Sequence, residues 1–214
     1  NNSQLTLSDS TLSSNLNGPV TIEFWIKHDG NAQVWPIQFG NIQIGFSVGA
    51  QDPDSDMIVI VPNQEVKRRL LPEATWTHFA ITRDSDLMHK IYRNGVLDFS
   101  FQGTTLQNHR EGTYEIASDI GNSGIGFFDE VRLWSYARTE NEILSQMNGE
   151  LTGNESSLFG YWNFNEAWND TIYDFSGDEN HAYNEKKLGT PYTLDTWQTD
   201  YSSSVSDISW YGPN

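Results

Sequence analysis

Val20-Thr-Ile-Glu-Phe-Trp-Ile-Lys27 alternates in character along its whole length. In an extended chain Val20, Ile22, Phe24 and Ile26 fall on one side, and Thr21, Glu23, Trp25 and Lys27 on the other. A period of two belongs to a strand, since a helix repeats its face about every 3.6 residues. The stretch predicts a half-buried strand of a sheet. Ile42, Ile44, Phe46 and Val48 repeat the pattern against Gln43, Gly45 and Ser47, while Met57 to Val61 is continuously apolar and predicts a central strand. Strand character returns at Trp76 to Thr82, Leu87 to Arg93, Phe127 to Trp134 and Leu158 to Phe164. Arg93-Asn94-Gly95-Val96 predicts a hairpin, because Asn-Gly accepts the positive φ angles of a type I′ turn. One helix stands apart from this pattern. Thr139-Glu-Asn-Glu142 is a capping box, and the helix it opens runs to Met147 or Asn148, with Gly149 as its stop. Ile143 and Leu144 are expected to pin it to a sheet. About ten short strands with turns between them predict an antiparallel sandwich or barrel.

The 214 residues suit one β-sandwich, long enough to bury a full core. Acidic residues exceed basic ones by 29 − 12 = 17. That excess argues against nucleic acid and anionic membrane surfaces, which both call for Lys and Arg patches. Aromatics reach 13% of the chain, far too many for a disordered protein. With no cysteine, disulfides, thiol chemistry and thiolate metal sites are excluded. No apolar run approaches the length of a membrane-spanning helix. The opening Asn1-Asn2-Ser3-Gln4-Leu5 has neither an initiator Met nor a signal peptide, which suggests a mature protein or an excised domain.

Several segments stand in an order that resembles a known family. They are Thr21 to Lys27; Trp76-Thr-His-Phe-Ala-Ile-Thr-Arg-Asp84; Ile91-Tyr-Arg-Asn-Gly-Val96; and Phe128-Asp-Glu-Val-Arg-Leu-Trp134 with the capped helix behind it. Leu158-Phe-Gly-Tyr-Trp-Asn-Phe164, Asp174-Phe-Ser-Gly177 and Asn180-His-Ala182 complete the set. The set is similar to the laminin G-like, concanavalin A-like jelly-roll family, related to pentraxins, over roughly residues 3 to 184. The resemblance implies an all-β, two-sheet antiparallel jelly-roll sandwich with one short helix. It implies a module of a larger secreted or cell-surface protein that binds sugars or proteins, often with calcium. Residues 1–189 are expected to form this domain. Residues 190–214 form a tail, rich in Ser, Asp and Thr, that is either a last strand pair or a link to a neighbour. The pentraxin calcium site is not expected here, because Gly121-Asn122-Ser123-Gly124 is short and has no carboxylate.

Candidate sites divide by chemistry. Gln51-Asp52-Pro53-Asp54-Ser55-Asp56 is the metal candidate. Asp52, Asp54 and Asp56 can converge if the loop curls, and calcium takes about six to eight oxygens. The resemblance also implies a calcium ligand near this stretch, and a solvated acidic turn is the plainer alternative. Asp84-Ser85-Asp86 and Asp174 are expected to serve turns, with Asp178 and Asn180 as lesser calcium candidates. Asp129 and Glu130, adjacent on a strand, point to opposite faces and so cannot act as a paired acid and base. Arg132 shares Glu130's side, which predicts a surface ion pair. His78 is expected in the core, and the other histidines lack zinc spacing. Trp25, Trp76, Trp134 and Trp162 lie in predicted strands and read as packing residues. Trp35, Trp168, Trp197 and Trp210 fall near loops or in the tail, where an exposed ring can stack on a sugar. Lys67-Arg68-Arg69, the one basic run, reads as a solvated strand edge, with recognition of an acidic group such as sulfate or carboxylate as the alternative. Asn154-Glu-Ser156 and Asn169-Asp-Thr171 are sequons that matter only in a eukaryotic secretory route.

The function expected first is a non-catalytic extracellular binding module, lectin-like or adhesive, with calcium as the candidate ion and a carbohydrate or extracellular protein as partner. The alternative is a building block of an extracellular filament, matrix or stalk that self-associates through the tail. A glycoside hydrolase or lyase needs two carboxyls on one face, and the sequence shows no such pair.

Overall fold

The structure is a computed structural model that describes residues 3–7, 12–28, 34–39, 42–46, 57–61, 64–68, 75–103, 114–120, 126–165 and 171–184. Its strands are β1 (Ser3–Leu7), β2 (Val20–His28), β3 (Val34–Phe39), β4 (Ile42–Phe46), β5 (Met57–Val61), β6 (Gln64–Arg68) and β7 (Thr77–Arg83). They continue with β8 (Met88–Arg93), β9 (Val96–Gln102), β10 (Tyr114–Ile120), β11 (Gly126–Trp134), β12 (Leu158–Trp162), β13 (Thr171–Ile172) and β14 (Ala182–Asn184). The predicted helix is α2 (Glu140–Gln146), and a single turn, α1 (Leu12–Asn15), precedes β2. The strands form an eight-stranded sheet ordered β13-β14-β1-β10-β3-β4-β5-β6 and a six-stranded sheet ordered β12-β11-β2-β7-β8-β9. Every pairing is antiparallel, so the expected two-sheet sandwich is the observed one. Among the described residues no helix is long and apolar enough to cross a membrane.

The inner faces of the sheets make one core, and the alternating residues of the opening stretch supply its centre. Val20, Ile22, Phe24 and Ile26 of β2 are buried against residues of the larger sheet such as Ile37, Phe39, Ile44 and Phe46. Phe24 and Phe79 of the smaller sheet meet Phe46 of the larger one with ring centroids 6.4 and 5.4 Å away. Such tilted aromatic contacts add roughly 0.5–1.5 kcal/mol each to the area they bury. β5 is paired on both sides, by β4 and by β6, which forms the edge and carries Lys67 and Arg68.

The second face of β2 departs from expectation. Thr21 and Glu23 are fully buried and Trp25 nearly so, because residues 135–150 fold back over the smaller sheet. Thr21 Oγ1 donates to Tyr136 O at 2.7 Å, and Arg138 Nη1 donates to Glu23 Oε1 at 2.5 Å. Trp25 Nε1 donates to Met147 O at 2.9 Å. The polar side of the strand is thus satisfied by another segment rather than by water.

The capping box of α2 is present as predicted. Thr139 N donates to Glu142 Oε2 at 2.7 Å, and Glu142 N to Thr139 Oγ1 at 3.3 Å. Ile143 is buried with Ala80 and Tyr92, while Leu144, 49% exposed, lies against Gly95 of the β8–β9 hairpin. The last turn has no basic residue of its own. Its carbonyls are met from the sheet and from the residue before the cap. Arg132 Nη1 donates to Gln146 O at 2.9 Å and Nη2 to Gly149 O at 2.5 Å, while Arg138 Nη2 donates to Glu142 O at 2.9 Å. These buried guanidinium groups satisfy the orphan acceptors and complement the negative end of the helix.

The turns follow the sequence. Asn94 and Gly95 have φ of 49° and 78°, as a type I′ hairpin requires. Asp84 Oδ1 accepts from Asp86 N and Met88 N, both at 2.9 Å. Trp76 lies one residue before β7 and is exposed, outside the strand expected for it.

Candidate functional site

The smaller sheet cannot bind a ligand on its outer face at β2 and β11, because α2 and its flanks occupy it. The buried charges there balance one another. Burial works against the Glu23 carboxylate, but His78 and Arg138 outweigh it and hold its pKa below the usual range. His78 Nε2 lies 3.4 Å from Glu23 Oε2, and burial pushes the imidazole toward its neutral form. Arg138 also stacks over Trp134, 4.2 Å from the ring centroid. The expectation of a core histidine at 78 agrees with this burial.

At one end of the same sheet β11 bulges. Its pairing with β2 slips between Asp129 and Arg132, and Glu130 has a left-handed φ of 53°. The simple alternation assumed for Asp129 and Glu130 therefore fails locally. The Glu130–Arg132 pair is not a surface pair either. Both residues are buried, with Arg132 Nη2 2.5 Å from Glu130 Oε2, and Tyr161 Oη donates to the same carboxylate at 2.9 Å. Asp129 is partly buried and accepts from Glu130 N at 2.8 Å. Burial first, and the Glu130 charge second, push its pKa up to about 7. An acid so perturbed is a catalytic candidate in general. Here the neighbouring Glu130 is already bound by an arginine and a tyrosine. Among the described residues no three His, Asp or Glu side chains are placed to hold a metal.

The third place is the edge where the two sheets meet, and its key residue is Asp174. Asp174 Oδ1 accepts from Tyr161 N of β12 at 2.9 Å and from Ser176 N at 2.8 Å, and Oδ2 accepts from Asn180 N at 3.0 Å. The Ser176 bond is the predicted turn role; the Tyr161 bond ties that turn to the opposite sheet. Phe175 N donates to Tyr161 O at 2.8 Å and Asn180 Nδ2 to Phe159 O at 3.1 Å, which completes the brace.

This brace fixes the β13–β14 ribbon. Thr171 faces Tyr183 and Ile172 faces Ala182, so one step further Tyr173 faces His181. Ile172 and Ala182 turn inward to the core. The alternate residues Tyr173, His181 and Tyr183 take the outer face. Tyr173 is 42% and Tyr183 44% exposed, and the Tyr173 and His181 rings meet edge to face at 5.1 Å. Asp174 N donates to His181 Nδ1 at 3.1 Å, so a neutral His181 carries its proton on Nε2. Phe175, also exposed, follows at the turn. The result is a rigid face of two large rings and an imidazole donor. Sequence reading placed this segment only as a closing element. The alternation of Thr171 and Tyr173 against His181 and Tyr183 about a Ser-Gly-Asp turn was the signal for it.

Of the residues singled out from sequence, Trp35 lies on β3 at the register position opposite Ser118. Trp168, Trp197, Trp210, Asp52, Asp54 and Asp56 lie outside the described residues, as does the tail from residue 190.

A laminin G family model, described as the concanavalin A-like lectin/glucanases superfamily, matches residues 1–144. The match spans about two thirds of the chain, and the protein belongs to this superfamily. No curated protein sequence matches it. Among solved structures, a Bacteroides ovatus protein proposed to bind carbohydrate superposes with a TM-score of 0.62 at 18% identity, over 91% of this chain and 60% of that one. The binding domain of botulinum neurotoxin DC, solved with rat synaptotagmin II, superposes at 0.52 and 14% identity, over 79% of this chain and 44% of that one. The chain therefore spans less than two thirds of either structure. At such identities the likeness is one of fold.

Proposed function

We propose that residues 1–189 form a non-catalytic carbohydrate-binding module of a larger secreted or cell-surface protein. The observation that carries this reading is the exposed, braced aromatic face of Tyr173, His181 and Tyr183. Rigid rings give a large apolar contact at little conformational cost, and a few fixed polar groups beside them supply orientation. The superfamily and a neighbour proposed to bind carbohydrate support the same choice. Calcium held by Asp52, Asp54 and Asp56 is part of the proposal, as an ion that would order a rim loop or meet sugar hydroxyls. A glycan array read in calcium and again in chelator tests both parts. Sugar binding that vanishes in chelator supports the calcium-assisted form, and binding that persists removes calcium from it. No binding in either condition overturns the carbohydrate reading.

The second reading, a structural building block, has one observation in its favour. β9 is the edge of the smaller sheet, and Val96, Leu97 and Leu144 are exposed at its hairpin and the adjoining helix. Natural edges are usually guarded by charge or by shortness, and this one carries only Asp98. Sedimentation at rising concentration decides it. Self-association abolished by Leu97→Lys supports the building block, and a monomer throughout removes it.

A further inference from the structure

We propose that Tyr183, Tyr173 and Phe175 form one row of rings that takes an oligosaccharide lengthwise, along consecutive sugar units, and not a single terminal sugar. The inference rests on the carbohydrate reading above and names the form of its ligand.

The backbone sets the row. Thr171 pairs with Tyr183 and Ile172 with Ala182, so Tyr183 lies diagonally across from Tyr173, roughly 7–8 Å away between backbones. Phe175 follows Tyr173 by two residues, at most about 7 Å along the chain. Asp174 between them is buried, with its carboxylate on the amides of Tyr161, Ser176 and Asn180. The chain thus turns its anchor inward and the rings on either side of it outward. Tyr173 is 42%, Phe175 46% and Tyr183 44% exposed, so each ring keeps about half its surface packed and offers the rest.

Each ring is held from behind. Tyr173 meets the edge of His181. Phe175 meets the Tyr161 ring edge to face at 6.3 Å, and its backbone is pressed against Gly153. Tyr183 stands on a strand paired on both sides, opposite Thr171 of β13 and Thr6 of β1. Rings fixed in this way lose little freedom when a ligand arrives. His181, whose Nδ1 accepts from Asp174 N, keeps Nε2–H as a donor for a hydroxyl beside the row.

The layout decides the form of the ligand. A pocket for one small molecule encloses most of its surface. Three rings side by side on the outer face of a ribbon instead offer a strip, and each sugar unit stacked on it gains only one ring's contact. Affinity then accumulates over neighbouring units, because the first contact brings the next unit to its ring at high effective concentration. A chain laid along the strip meets all three rings for a single loss of translational freedom.

The test is an array of homo-oligosaccharides of glucose, mannose, galactose and xylose, each running from the monosaccharide to the hexasaccharide. It is probed with the wild type and with Tyr173→Ala, Phe175→Ala and Tyr183→Ala. Melting temperatures show which variants fold, and the two tyrosine variants decide the matter should Phe175→Ala fail to. The expected result is affinity that climbs at least about tenfold along the series of the sugar that binds. Each substitution should weaken the hexasaccharide about threefold to tenfold and flatten that climb. A monosaccharide bound as tightly as its hexasaccharide would overturn the lengthwise mode and leave the carbohydrate reading in place. A climb untouched by the substitutions would overturn the row as its site. Silence across every series would overturn the carbohydrate reading, and this inference with it.

Discussion

Asp129 shows what one residue's surroundings do. Its carboxyl titrates near 3.8 in an unfolded chain and at about 7 in the fold, so the folded protein holds the proton more tightly. The group therefore stabilises the fold below pH 4, and that contribution is lost as pH rises through 7. Asp129→Asn keeps the acceptor for Glu130 N and removes the charge. It should raise stability at pH 8 by on the order of 2 kcal/mol and leave it nearly unchanged at pH 4, as read by urea titration at the two pH values. His89 acts with the opposite sign. Burial lowers it to about 4, so its contribution is present above pH 6.5 and disappears as pH falls toward 4. That acid limb should persist in the Asp129 variant. Glu23 is a different case, a buried charge with a buried partner. Glu23→Ala strands Arg138 without its carboxylate and should cost about 3–5 kcal/mol, measured by the same titration. A loss under about 1 kcal/mol would show that water relieves the arginine.

Elements explain where sequence reading ended. Alternation and short apolar runs located β2, β4, β5, β7, β8, β11 and β12, and the Thr139 capping box located α2, because these signals are local; β1, β3, β10, β13 and β14 were not read as strands. Alternation also marks Glu23 and Trp25 as the second face of β2, but it cannot say what lies on that face. Water and a segment more than a hundred residues later satisfy the same polar atoms, and only the fold distinguishes them. The bulge at Glu130 was hidden for the same reason, since nothing in Asp129-Glu130-Val131 requires a left-handed residue. The candidate face was half legible. Asp174 and its turn were read correctly, but Tyr173 and Tyr183 acquire meaning only when β13 and β14 pair. Gly153 tests how tightly this edge is built. It has φ of 83°, and an added Cβ would sit 1.9 Å from Phe175 O. Gly177 has φ of 90° and open space around it. Gly177→Ala should cost about 1 kcal/mol from backbone strain alone. Gly153→Ala should cost clearly more and also weaken glycan binding, because Phe175 and the turn beside the tyrosines must shift. Denaturant titrations and an affinity measurement on the pair check this, and equal costs would refute the clash.

The whole molecule carries a formal charge of −17 on a single two-sheet core. Mutual repulsion of that size destabilises the compact state, and ions screen it over about 10 Å at 0.1 M salt. Raising sodium chloride from about 0.01 to 0.3 M should therefore raise the melting temperature by a few degrees, read by calorimetry at pH 7. A flat response would mean that the acids are locally compensated. The fold-back of residues 135–150 has a consequence in time as well as in space. Thr21, Glu23 and Trp25 are synthesised well before their partners, which lie 115 to 122 positions later. Until those partners emerge, a half-made sheet displays a carboxylate and an indole that only His78 of β7 can meet. The outer face of β2 therefore stays uncovered until residues 135–150 are made, and a chain cut short before Gly149 would carry this uncovered face for good.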